Sequence, residues 1–149
     1  MNKQEILDII DKEGNNHKFE YRNIKCELLR NDMKNWCGYI FIPSWHSLFD
    51  NHIHTPTLNA EAESIPCHGG VTYCEVVGDE LKIGFDTAHS GDFSPYYVLE
   101  GKFTFRSDGV YRDKDYVINE IHEMVDYVYD NYQETKRLIR EEKLKNIGI

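Results

Sequence analysis

Apolar positions along the chain change their period several times, and each change marks an element. Over residues 3–12, Ile6, Leu7, Ile9 and Ile10 recur at near-helical spacing and Gly14 follows as a stop, which predicts a short amphipathic helix. Residues 18–30 (KFEYRNIKCELLR) alternate imperfectly and predict one strand with a slip or bulge. The run WCGYIFI, Trp36 to Ile42, is almost wholly apolar and ends at Pro43, the pattern of a strand covered on both faces. Residues 43–66 show little periodicity and hold three of the four prolines, so a long loop is expected there, carrying His46, His52 and His54. Long ordered loops in compact domains are more often functional than idle.

The most explicit pattern spans residues 71–86, where VTYCEVV and LKIGFD flank Gly78-Asp79, a hairpin turn signal. Pairing Val77 with Glu80 sets Val76 against Leu81, Cys74 against Ile83 and Thr72 against Phe85 on one face. The other face pairs Glu75 with Lys82 and Tyr73 with Gly84. An opposite-charge pair and an aromatic over glycine are both favourable, and a one-residue slip would scramble both faces. In this register Thr72 turns toward the core.

Residues 96–106 (YYVLEGKFTFR) predict a further strand or bent pair, and Ser107-Asp108-Gly109 a turn. A long helix is expected from an Asp113 N-cap, with Val117, Ile121, Met124, Val125, Val128 and Tyr132 on one stripe. Residues 133–147 read as its charged continuation. Strands fill the middle and helices the ends. The expected class is therefore α+β: an antiparallel sheet with a central hairpin at about 71–86, a short N-terminal helix and a long C-terminal one. One domain over 1–149 is expected, with 133–149 as a charged helical extension.

Composition narrows the function classes. Hydrophobic residues make up 40% and charged residues 29% of the 149, as in an ordinary folded, soluble protein. The net charge of −9 argues against a sequence-independent nucleic-acid binder, which needs a basic surface, but leaves a small anionic ligand open. No stretch has the length of a membrane span, and MNKQEILDIIDKEG lacks the apolar core of a signal peptide, so a cytoplasmic protein is expected. Cys26, Cys37, Cys67 and Cys74 form no CxxC pair and are expected as free, mostly buried thiols. Homo-oligomerisation stays open.

The hairpin register bears on chemistry, because it brings HGG (68–70) and DTAHSGD (86–92) to the same end of one β-ribbon. Histidine trades protons near neutral pH, and His68 and His89 in one cleft can act as acid and base. Asp86 and Asp92 can orient them or hold a divalent metal. Gly69 and Gly70 allow close backbone approach to an anion, and Thr72 adds a hydroxyl. Each feature also has a plainer reading, as a bulge or a turn cap. His52 and His54 form an H-x-H pair without a third ligand at fixed spacing, better read as a solvated loop. His122 and Asp126 have the spacing of an exposed helix pair. Tyr96, Tyr97 and Tyr111 could stack on a base or sugar, with packing the default.

The runs CGYIFIP…H, HGGVTY, IGFDTAHSGD and YRDKDYV resemble a family of small proteins from tailed phages and bacterial mobile elements. Its members look like C-G-Y-V-x-V-P-x-x-H, H-G-G-L-T-[YF], G-F-D-x-A-H-x-G-D and Y-[RK]-D-x-x-Y-[VA]. The likeness covers roughly residues 36–117. It picks out Cys37, Gly38, Tyr39, Pro43, His46, His68, Gly69, Gly70, Thr72, Gly84, Phe85, Asp86, His89, Gly91, Asp92, Tyr111 and Asp113. His52 and His54 fall outside it, and Ser44-Trp45 replaces a Pro-Gly type of turn before His46. The resemblance implies a phage or prophage accessory protein of the kind that counters host defence, in some cases by destroying or sequestering a nucleotide signal.

Three functions follow as expectations. One is a pocket that binds a phosphate-bearing, nucleotide-like molecule and hydrolyses it. There His68 and His89 act as proton donor and acceptor, Asp86 and Asp92 orient them or hold a metal, Gly69, Gly70, Thr72 and Tyr111 contact the ligand, and His46 closes the site. Another is the same pocket acting as a sponge. The third is a protein–protein inhibitor with a structural His/Asp cluster and a docking helix at 133–147. No GxxxxGK[ST], HExxH or GxSxG motif is present.

Overall fold

The computed structural model describes residues 1–55, 59–102 and 107–148, and its centre is a five-stranded antiparallel sheet. Helix α1 (Lys3–Glu13) precedes β1 (Asn16–Tyr21), β2 (Ile24–Arg30) and β3 (Trp36–Pro43). Helices α2 (Ser47–His54) and α3 (Ala60–Glu63) follow, then β4 (Tyr73–Val77), β5 (Glu80–Asp86) and α4 (Pro95–Leu99). The chain closes with α5 (Lys114–Asn131), a 3-10 turn (Gln133–Lys136) and α6 (Arg137–Asn146). The sheet order is β1-β2-β3-β5-β4. The protein is α+β, as its pattern predicts. Among the described residues, no helix is long and apolar enough to cross a membrane.

Alternation along the strands decides which face α5 covers. Ile24, Cys26, Leu28, Ile40, Ile42, Leu81, Ile83 and Phe85 are buried in one cluster with Val117, Ile121, Met124, Val125 and Val128 of α5. Burying each large aliphatic or aromatic side chain contributes about 1.5–3 kcal/mol, against at most about 1 for an exposed ion pair, so this layer holds the fold. Gly38 on β3 pairs with Phe85 on β5. A Cβ at Gly38 would lie 2.7 Å from the Phe85 ring and 3.0 Å from Ile121, both firmly packed. Gly38→Ala is expected to lose about 1–3 kcal/mol by overpacking, read from urea unfolding. An unchanged midpoint would mean that the ring has room to move aside.

The hairpin register is as expected: Tyr73 opposite Gly84, Cys74 opposite Ile83, Glu75 opposite Lys82, Val76 opposite Leu81 and Val77 opposite Glu80. β5 lies inside the sheet and β4 is its edge, so Leu81 and Ile83 are buried while Val76 and Val77 are 42% and 46% exposed. Thr72 departs from the expectation. Its amide donates to the Gly84 carbonyl at 2.9 Å, although Tyr73 is the residue paired with Gly84. The ladder slips by one residue there, and Thr72 points to solvent instead of toward the core.

Four other expectations are corrected. Residues 18–30 are not one bulged strand but belong to two, joined by Arg22-Asn23 with both residues at positive φ, 50° and 64°. This is the backbone of a tight hairpin turn, but Arg-Asn carries no glycine to announce it. Tertiary contacts hold it: the Arg22 guanidinium lies 4.0 Å over the Tyr129 ring and 2.9 Å from Asp126, and the Tyr129 hydroxyl donates to the Arg22 carbonyl. The neighbouring His122 ring stacks on Tyr21, whose hydroxyl takes Asp126, so the expected His122–Asp126 pair does not form. Tyr96 and Tyr97 lie in the short helix α4 and not in a strand; residues 103–106 of that expected strand lie outside the described residues. Residues 133–147 do not continue α5, because Tyr132 turns to an extended conformation before the 3-10 turn and α6.

The expected loop at 43–66 holds α2 and α3, and this changes the reading of three histidines. His46 is the N-cap of α2: its Nδ1 accepts from the Leu48 amide at 3.1 Å, and its Nε2 lies 2.9 Å from the Thr135 hydroxyl. The ring is fully buried and ties α2 to the C-terminal turn. Imidazole is not among the usual caps, so the helix start was hidden. His52 turns inward and His54 outward on α2, because two residues of helix rotate by about 200°. Burial pushes the His46 pKa below its ordinary 6.5, against the pull of Glu134 and Glu61. The unfolded chain therefore binds the proton more readily, and stability present above pH 6.5 is lost as pH falls below it. His46→Gln is expected to flatten that part of the stability curve in urea titrations. Equal acid slopes in both proteins would contradict it.

Candidate functional site

Local geometry brings the two histidine segments to one place. The turn after α3 closes with the Gly70 amide on the Cys67 carbonyl at 3.0 Å, and Gly69 and Gly70 take φ of 70° and 84°. Gly69 backs directly onto His89: a Cβ there would lie 2.1 Å from the ring, so only glycine fits. At the end of β5, Asp86 Oδ1 accepts from the Ala88 amide at 2.9 Å, and the Asp92 amide donates to the His89 carbonyl at 2.9 Å. Asp92 then forms a parallel bridge with Val110, which lays residues 110–113 alongside and delivers Arg112 and the first turn of α5. Asp113 caps α5 by accepting from the Tyr116 amide at 2.8 Å.

The His68 and His89 rings stack in parallel, with centroids 5.7 Å apart and planes 6° from one another. Asp92, 1% exposed, organises the cluster. Its Oδ2 accepts from His68 Nε2 at 2.7 Å and from the His89 amide at 3.0 Å, and its Oδ1 accepts from Arg112 Nε at 3.0 Å. Burial alone would raise the Asp92 carboxyl pKa, but the hydrogen bonds from His68, the His89 amide and Arg112 outweigh it and hold the group below its usual value of 3.8. His89 Nδ1 lies 3.5 Å from Asp86 Oδ1, and the Thr72 hydroxyl donates to Asp86 Oδ2 at 3.2 Å.

A carboxylate only accepts hydrogen bonds, so His68 carries its proton on Nε2. Its Nδ1 lies 2.8 Å from the Tyr116 hydroxyl, whose single proton has two partners within reach, His68 Nδ1 and, at 3.4 Å, Glu120 Oε1. When the Tyr116 hydroxyl turns its proton from Glu120 to His68, Asp92, His68 and Tyr116 form a chain in which that proton can pass to the imidazole while the carboxylate steadies the resulting cation, the logic of a carboxylate–histidine–hydroxyl triad. Burial raises the Tyr116 pKa, with Glu120 adding to the effect, so the hydroxyl rests protonated. Glu120 is itself raised, by burial and then by Glu123.

Of the expected residues, His68, His89, Asp86, Asp92, Gly69 and Thr72 meet, with Gly70 in the turn beside them. Two do not join them. His46 is the buried helix cap described above and cannot close this site. Tyr111 turns the other way, its hydroxyl donating to Glu13, which also accepts from Arg30 at 3.0 Å and from the Lys114 amide at 2.8 Å. That node joins α1, β2 and the start of α5 and is architectural. Arg112 and Tyr116 join the site without being among the expected residues. The signal was the YRDKDY run: an N-cap at Asp113 places Tyr116 in the first helical turn, facing whatever precedes the helix.

Among the described residues, no group of three His, Cys, Asp or Glu side chains is arranged to hold a metal ion. Both Asp92 oxygens are already taken by protein donors, which withdraws the strongest candidate ligand. The chain matches no family model, no curated protein and no solved structure.

Proposed function

We propose that the protein binds a small phosphate-bearing, nucleotide-like ligand over the stacked His68–His89 pair and exchanges a proton with it through Tyr116. The Asp92–His68–Tyr116 chain carries this reading, because a tautomer-locked imidazole behind a protonated hydroxyl is a proton relay awaiting a partner. Arg112, partly exposed and anchored by Asp92, supplies positive charge for an anion on a protein of net charge −9. Tyr116 takes the ligand-facing role expected of His68, since both nitrogens of His68 are engaged within the protein. In a phage or mobile-element setting, such an accessory protein would blunt a host nucleotide signal.

That same engagement of His68 favours a second reading, capture without chemistry. Incubation with a panel of nucleoside phosphates and cyclic nucleotides, followed by denaturation and recovery, separates the two. Altered ligand supports hydrolysis, intact bound ligand supports sequestration, and failure to bind any member overturns both.

A further inference from the structure

A thiol–imidazole pair lies between the β4–β5 hairpin and α2, and includes neither His68 nor His89. Cys74 on β4 places its Sγ 3.6 Å from His52 Nδ1 on α2. Both side chains line a cavity of about 160 Å³, with Asn59, Glu63, Val71, Thr72 and Tyr73 as its other walls. That volume suits a group of a few heavy atoms. Asn59 is held in place, its amide donating to the Leu48 carbonyl at 3.1 Å and its Oδ1 accepting from the Ala62 amide at 3.2 Å. β4 is the edge strand of the sheet, and His52 of α2, with Asn59 and Glu63 at the ends of α3, lies beside Cys74 around the cavity.

We infer that Cys74 and His52 form a nucleophilic site for a small, uncharged electrophilic carbon compound, such as an acyl or alkyl donor, seated in this cavity. Sγ bonds to the electrophilic carbon, the bond from that carbon to its leaving group breaks, and the leaving group departs with the electron pair. The thiol proton passes to His52 Nδ1. Glu63 lines the cavity and disfavours an anionic donor.

The thiol rests protonated. Burial pushes its pKa up to about 11, with Glu63 adding to the rise, so the imidazole must take the proton as the bond forms. Cys67 is an internal comparison. It is also half-buried, its pKa is pushed by burial up to about 12, and among the described residues no imidazole hydrogen-bonds to it.

The test is alkylation of the full chain, followed by peptide mass mapping at all four cysteines. Cys74 is expected to react with iodoacetamide at least about tenfold faster than Cys67, and faster with iodoacetamide than with the anionic iodoacetate beyond the ratio seen for free cysteine. His52→Gln should bring Cys74 down to the Cys67 rate, and Glu63→Gln should narrow the preference for the neutral reagent while leaving the fold intact. Equal rates at Cys74 and Cys67, or no slowing in His52→Gln with unchanged circular dichroism, would overturn the inference. His68→Ala should leave the Cys74 rate unchanged, so the outcome is independent of the phosphate-binding proposal.

Discussion

Asp92→Ala is expected to lower folding stability by about 3–5 kcal/mol, the cost of removing one partner from a buried charge pair. The carboxylate is 1% exposed and accepts from His68, the His89 amide and Arg112. Its removal strands a guanidinium, leaves the half-buried His89 amide without its carboxylate partner and frees the His68 tautomer. Asp92→Asn keeps the shape but presents a donor where one of these three needs an acceptor, so it should fall between alanine and the native residue. The pH dependence is fixed by the sign of the shift. Folded Asp92 titrates below 3.8, so its contribution is full above that value and disappears as pH falls through the lowered pKa. Urea unfolding at a series of pH values should show native stability falling in that acid range, with the slope reduced in both variants. An Asp92→Ala protein as stable as the native one would show that the cluster is not load-sharing with the fold.

Tyr116→Phe is expected to carry the largest functional effect. It removes one oxygen while keeping the ring, over which the Arg112 guanidinium sits at 4.9 Å. Loss of a positioned proton donor lowers turnover by about 10²–10⁴-fold, and ligand affinity should change far less. His68→Ala should match that loss, and the double variant should be no worse than the poorer single one, because the two residues work as one chain. Single-turnover assays with the ligand identified by the recovery experiment measure this. Independent, multiplying losses would mean that Tyr116 and His68 act separately, and full activity in Tyr116→Phe would remove the relay from the mechanism.

The parts of this molecule that local pattern could specify were legible. The Gly78-Asp79 turn and the facing pairs fixed the β4–β5 register residue by residue, and that register brought His68 and His89 to one end. Asp113 announced α5. What escaped depended on partners distant in sequence. Arg22-Asn23 adopts a glycine-like turn because Tyr129 and Asp126 of α5 grip it. The start of α2 is capped by a histidine whose other nitrogen needs Thr135, 89 residues on. Thr72 leaves the core face because the ladder slips by one residue at Gly84. In the candidate site, the hairpin-borne residues were found, while Arg112 and Tyr116 arrive by way of the Asp92–Val110 bridge, a contact that no periodicity encodes.

The most direct measurement is imidazole NMR on isotope-labelled protein during titration with the nucleoside phosphates. The account predicts that the His68 and His89 ring signals shift together and saturate at one ligand concentration, with His68 protonated on Nε2 in the free protein, while His46 stays unmoved. Ligand binding that shifts neither ring, or that shifts His46 alone, would contradict it.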